Sequence, residues 1–172
     1  GKSYAAQMLC AYYDKSCDSS ELFADLKIAR SSSYKEHLNR HDVIYLDITW
    51  FISIADDIRN VVTDLQTKVM EELHAIYPDV RKEHTLPETL ARINEETDNR
   101  FIIIIDEWDA LFREARNAHV LQEQYIQLLR GLFKSSGQTD KMIEAAYMTG
   151  ILPIKKYGTQ SAMTDFREYT ML

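Results

Sequence analysis

The chain is poor in the residues that punctuate or staple a protein. Its 172 residues include 2 cysteines, 3 prolines and 5 glycines. Cys10 and Cys17 are too few for a disulfide framework, and no Cys/His spacing suggests a zinc site. Free thiols at this low density fit a reducing compartment. The scarcity of Gly and Pro argues against a loop-rich, collagenous or linker-dominated chain. No apolar run approaches the roughly 20 residues needed to span a bilayer. Positive charge is also short: 20 Lys and Arg stand against 27 Asp and Glu, a formal net charge of -7. That balance argues against a general nucleic-acid-binding surface, which needs clustered Lys and Arg to neutralise phosphates. What is plentiful is apolar. Hydrophobic residues make up 45% and charged residues 27%, the composition of one packed domain rather than two or of a disordered chain. These bounds leave an acidic, cytoplasmic α/β or α domain.

Apolar periodicity supplies the elements. Ser3 to Tyr13 is helix-like, with Met8, Leu9 and Tyr12 on one side, and Asp18 to Ser20 caps a short helix carrying Leu22, Phe23 and Leu26. Val43 to Thr49 is rich in β-branched and aromatic residues and reads as a strand buried on both faces. Ile54, Ile58, Val61, Val62, Leu65, Val69, Leu73 and Ile76 form one stripe, so a single helix is expected until Pro78. Thr85-Leu86-Pro87-Glu88 is a capping-box pattern opening a helix to about Glu96. Phe101 to Ile105, five apolar residues of which four are Ile, reads as a central parallel strand covered on both faces. A helix is expected over 118–134, burying Leu121, Leu128, Leu129, Leu132 and Phe133. Ala145 to Ile151 is the last strand. Strands alternating with helices predict an α/β fold with a parallel sheet.

Two segments carry chemistry. Gly1-Lys2-Ser3 leading into a helix is the back half of a phosphate-binding loop, or Walker A motif. Amides at a helix N-terminus bind phosphate oxygens, Lys2 would reach the β/γ-phosphates, and the Ser3 hydroxyl would hold Mg²⁺. Alone, this tripeptide is frequent by chance. The Ile run then ends in Asp106-Glu107, which puts two carboxylates at the C-terminal edge of the sheet, where α/β ligands bind. Asp106 would help hold the metal, as in a Walker B motif, and Glu107 would polarise the attacking water. The bland alternative is an acidic strand end with solvated carboxylates. A further strand ends in Thr149, placed to sense the γ-phosphate. The order of phosphate loop, strand, acidic strand and polar-tipped strand is that of ATPases carrying an additional catalytic Glu.

Longer stretches extend the pattern: Leu22 to Ile28, Val43 to Leu46, Ile105-Asp106-Glu107-Trp108-Asp109-Ala110-Leu111, and Met148 to Tyr157, continuing through Phe166 to Tyr169. On these the chain resembles the predicted AAA-ATPase-like family of bacteria, abundant among anaerobic gut organisms. The resemblance implies a P-loop NTPase of AAA-like class that binds ATP with Mg²⁺, often followed by a PD-(D/E)XK nuclease-like domain. The family's loop typically reads Arg-Arg-Phe-Gly-Lys-Ser or Thr. The expectation is therefore an internal fragment: one domain over 1–172, truncated at both ends, without the strand that feeds the phosphate loop. In that family the missing strand sits beside the one ending at Thr149. The visible sheet should then have Val43–Thr49 outermost, Phe101–Ile105 in the middle and Ala145–Ile151 as an edge prone to self-association.

Weaker constellations carry bland readings. His37 and His41 could share a helix face, but no third ligand is fixed nearby, and a solvated helix end is the alternative. Cys10 and Cys17 read as small apolar groups facing the core. Trp50 and Trp108 could stack on a base, though burial is the commoner fate. Lys155, Lys156 and Arg167 could contact phosphate or a partner, or form a solvated loop. Three functions stay open: an ATPase, a nucleotide-gated regulatory or scaffold module controlling an attached effector, and a plain α/β interaction domain.

Overall fold

A computed structural model describes residues 1–134, 137–153 and 166–169 of the chain. Helix α1 (Lys2–Tyr13) begins at Gly1 and meets two single turns, α2 (Ser20–Phe23) and α3 (Tyr34–His37). Together they close a small aromatic cluster of Tyr12, Phe23 and Tyr34. Strand β1 (Asp42–Asp47) runs straight into α4 (Ile48–Ile54), because the Asp47 carboxylate accepts the Trp50 N–H and caps a new helix. Then come α5 (Val61–Ile76), α6 (Leu86–Thr97) and strand β2 (Phe101–Asp106). After β2 follow α7 (Ala110–Glu114), α8 (His119–Phe133), α9 (Thr139–Met142) and strand β3 (Ile143–Met148).

The sheet is parallel, in the order β1-β2-β3, so the isoleucine strand is central as expected. β1 and β2 pair without a shift from Asp42 opposite Phe101 to Asp47 opposite Asp106, and a bulge between Phe101 and Ile102 adjusts β2 to β3. All six β2 residues are buried, and their side chains alternate between two layers. Phe101, Ile103 and Ile105 join the main core with Val62, Leu65, Leu90 and Leu129. Ile102 and Ile104 lie under Ala6, Leu9 and Cys10 of α1. A strand covered twice has no polar face to show, which is why its sequence is a continuous apolar run. Each such Ile contributes roughly 1.5–3 kcal/mol through burial.

Four expectations need correction. The single helix over 54–76 is broken: Ile54 ends α4, Ala55 is extended, and Asp57 caps a 3-10 turn over Ile58–Asn60 before α5 starts. The apolar stripe crosses the break because Ile52, Ile58 and Val61 all face the same core. β1 stops at Asp47 for the capping reason given above, and its second face is thinly covered. Ile44 and Leu46 are buried, whereas Val43 and Tyr45 are only half-buried beside α1. β3 begins two residues early and ends at Met148, leaving Thr149 just beyond the strand. Finally, Cys17 is exposed in a turn rather than facing the core, while Cys10 is half-buried.

Candidate active site at the sheet edge

β2 ends at Asp106, and Glu107 takes a left-handed backbone with φ of +54°. For a non-glycine residue this is costly, on the order of 1–3 kcal/mol, and it persists where the surroundings hold it. Here they do. The Thr149 N–H donates to the Ile105 carbonyl at 2.9 Å, and the Trp108 N–H donates to the Thr149 carbonyl at 2.9 Å. The Glu107 N–H donates to Thr149 Oγ1 at 3.1 Å. The Thr149 hydroxyl in turn donates to Asp106 Oδ1, so three of the expected site residues form one hydrogen-bonded knot.

Asp106 and Thr149 are buried. The second Asp106 oxygen accepts from the Tyr45 hydroxyl at 3.3 Å, which ties β1 to the same carboxylate. Burial, followed by the charge of Asp106, pushes the Tyr45 phenol up to about 12, so Tyr45 is a donor at every physiological pH. Each Asp106 oxygen thus takes one hydrogen bond and retains acceptor capacity.

Beyond this knot lies a second carboxylate. Asp109 is fully buried, and its Oδ2 accepts from the Ile151 and Leu152 N–H groups at 3.1 and 2.8 Å. Arg113 forms an ion pair with Glu107 through one terminal nitrogen. Its Nε stands 3.2 Å from Asp109 Oδ2, off the axis of a hydrogen bond. Asp109 Oδ1 has no hydrogen-bond partner and points toward Gly150. Gly150 has no room for a side chain: a Cβ there would lie 2.5 Å from the Trp108 ring and 2.8 Å from Asp109 Oδ1.

The N-terminal tripeptide meets this assembly through Lys2. Its ammonium donates to the Gly150 carbonyl at 2.5 Å across 148 positions of sequence. Gly1 caps α1 without a side chain, and both Gly1 and Ser3 are exposed at the helix start. Among the described residues, no hydrogen bond links Ser3 to Asp106. The structure therefore gathers Asp106, Glu107 and Thr149 directly, reaches Lys2 through one carbonyl, and leaves Gly1 and Ser3 at the rim. Tyr45 and Arg113 are members of the site that the sequence reading passed over. The i,i+4 spacing of Asp109 and Arg113 was the available signal for one of them.

The remaining candidates separate. His37 and His41 stack, with ring nitrogens 3.1 Å apart. Among the described residues, no group of three or more His, Cys, Asp or Glu is placed to hold a metal. Trp108 is buried against Phe112, whereas Trp50 is 56% exposed in the first turn of α4. Burial pushes the Cys10 thiol up, with Asp14 and Cys17 adding to it, the opposite of a reactive thiolate. Arg167 is exposed, and Lys155 and Lys156 lie outside the described residues. A cavity of about 770 Å³ opens between α5, α6 and α8, floored by Val62, Pro87 and Leu128, and includes none of the site residues. Among the described residues, no helix is long and apolar enough to cross a membrane.

A family model described as Predicted AAA-ATPase matches residues 1–159. No curated protein and no solved structure matches the chain.

Proposed function

Because the chain belongs to the predicted AAA-ATPase family, we propose that it binds ATP at the C-terminal edge of its sheet and hydrolyses it with Mg²⁺ in the intact protein. The observation that carries this reading is the knot of Asp106, Glu107 and Thr149, with Lys2 one carbonyl away. The Lys2 ammonium, now on the Gly150 carbonyl, would move to the β/γ-phosphate oxygens, and Gly1 and the first α1 amides would bind beside it. The donor set suits a hard cation. The Asp106 carboxylate and the Ser3 hydroxyl are oxygen ligands, and Mg²⁺ takes one or two such groups beside phosphate and water. Bound Mg²⁺ would supply charge neutralisation at the phosphates. Glu107 would take the proton of the attacking water, and Thr149 would report the γ-phosphate to the Asp106 carboxylate and the Glu107 backbone N–H through its two hydrogen bonds.

Replacing Glu107 tests this directly. In the full-length protein, Glu107→Gln should keep ATP binding and lower kcat by about 10²–10⁴-fold, since shape is kept and the base is lost. Turnover equal to wild type would remove Glu107 from this role. A second reading, a nucleotide-gated module with little turnover, is favoured by the Arg113–Glu107 ion pair, which occupies the base. A burst of one product per site without further turnover would select it. In either case residues 1–172 would be part of one AAA-like domain, with a nuclease-like domain as its candidate effector.

A further inference from the structure

We propose that Arg113 is a positioning residue that keeps Glu107 from acting until nucleotide engages Lys2. This rests on the assignment of Glu107 as base made above. The Glu107 oxygen that accepts the charged N–H is turned to Arg113, so the ion pair fixes where the carboxylate points. Arg113 is not a loose surface partner. It comes from α7, whose Ala110, Leu111 and Phe112 are buried, so its backbone cannot swing. Its guanidinium is gripped twice, by Glu107 and by fully buried Asp109. The left-handed backbone at Glu107 fixes the other end of the pair. Glu107 is thus held from both sides.

The grip is connected to the phosphate end by contacts already described. Asp109 Oδ2 is held by the N–H groups of Ile151 and Leu152. Those residues follow Gly150, whose carbonyl takes the Lys2 ammonium. A phosphate that draws Lys2 away removes its bond to that carbonyl. The segment 150–152 can then shift, Asp109 with it, and Arg113 loses its second anchor. The route runs from Lys2 to the Gly150 carbonyl, along the backbone to the Ile151 and Leu152 N–H groups, and through Asp109 to Arg113 and Glu107. Both ends therefore bias one element, as an energetic coupling requires.

The test is steady-state ATP hydrolysis by the full-length protein, with Glu107→Gln, Arg113→Gln and Arg113→Lys compared. Arg113→Gln should raise kcat/KM about fivefold or more, the low end of ordinary coupling between linked sites, with kcat little changed because bound nucleotide has already opened the latch. Its ATP KM should fall by a similar factor, because ATP binding no longer has to open the latch. Arg113→Lys keeps the charge and should return kcat/KM to near wild type, whereas an arginine needed only for the fold would lower kcat in both variants. An inactive Glu107→Gln with an Arg113→Gln whose kcat/KM equals or falls below wild type overturns the latch and leaves the base in place. A Glu107→Gln as fast as wild type overturns both. Should Arg113→Gln not fold, hydrogen exchange of the wild-type protein decides. A non-hydrolysable ATP analogue with Mg²⁺ should speed exchange at the 108–113 amides, and unchanged exchange overturns the proposal.

Discussion

Gly150 is the residue on which the site is most crowded. Its missing side chain leaves room for the Trp108 indole beside the backbone, and its carbonyl accepts from Lys2. The indole cannot retreat, since it is buried against Phe112, and the Tyr125 hydroxyl holds its carbonyl at 2.7 Å. Gly150→Ala should therefore destabilise the protein by about 1–3 kcal/mol, the usual cost of overpacking. A thermal melt reads this as a fall of roughly 2–4 °C per kcal/mol for a domain of this size. A variant as stable as wild type would mean that the ring has room to move. His41 gives a pH prediction. Burial, then the neighbouring His37, holds its imidazole below the ordinary value of 6.5, while Glu144 and Asp42 oppose this more weakly. The unfolded chain thus binds the proton more readily than the folded one. Stability attributable to His41 is complete above about 6.5 and is lost as the pH falls through that value toward the lowered one. Urea melts at pH 7.5 and 5.5 should differ more for wild type than for His41→Gln, and equal differences would assign the acid sensitivity elsewhere.

Among the elements, α6 shows what local chemistry can specify. Thr85 Oγ1 accepts the Glu88 N–H at 3.3 Å, and Asp98 closes the other end in a left-handed conformation. Thr85→Ala should cost about 1 kcal/mol, within the 0.5–2 kcal/mol usual for an N-cap, as read by denaturant midpoint. This helix was legible because its cap and stripe are adjacent in sequence, and β2 because burial on both faces leaves no alternation. The break at Ala55 was not legible. Periodicity reports which face is buried, and α4 and α5 turn the same face to one core across a change of direction. Tyr125 escaped as a core residue because its hydroxyl reads as polar, although a single carbonyl satisfies it. The same division holds in the site. Asp106, Glu107 and Thr149 stood out as polar ends of apolar runs. Tyr45 reaches Asp106 across 61 positions, and no local pattern encodes that contact.

At the scale of the whole molecule, the three-stranded sheet pairs β3 with β2 alone among the described residues. The other edge of β3 offers backbone N–H and C=O groups beside Ala145, Ala146 and Tyr147, a template for pairing with another chain. Residues 1–172 in isolation should therefore associate with rising concentration in light scattering, and a concentration-independent monomer would contradict the edge argument. The reach from Lys2 to Gly150 has a further consequence, for biosynthesis. Lys2 is polymerised 148 residues before its carbonyl partner, and Asp106 43 residues before the Thr149 hydroxyl that it accepts from. Such non-local closures come late in folding, after the loops between them are paid for in entropy. On the ribosome, α1 and β1 emerge well before the residue that completes their site. A nascent chain should hence carry the lysine without being able to trap ATP, and nucleotide capture should switch on only once the third strand has left the exit tunnel and docked.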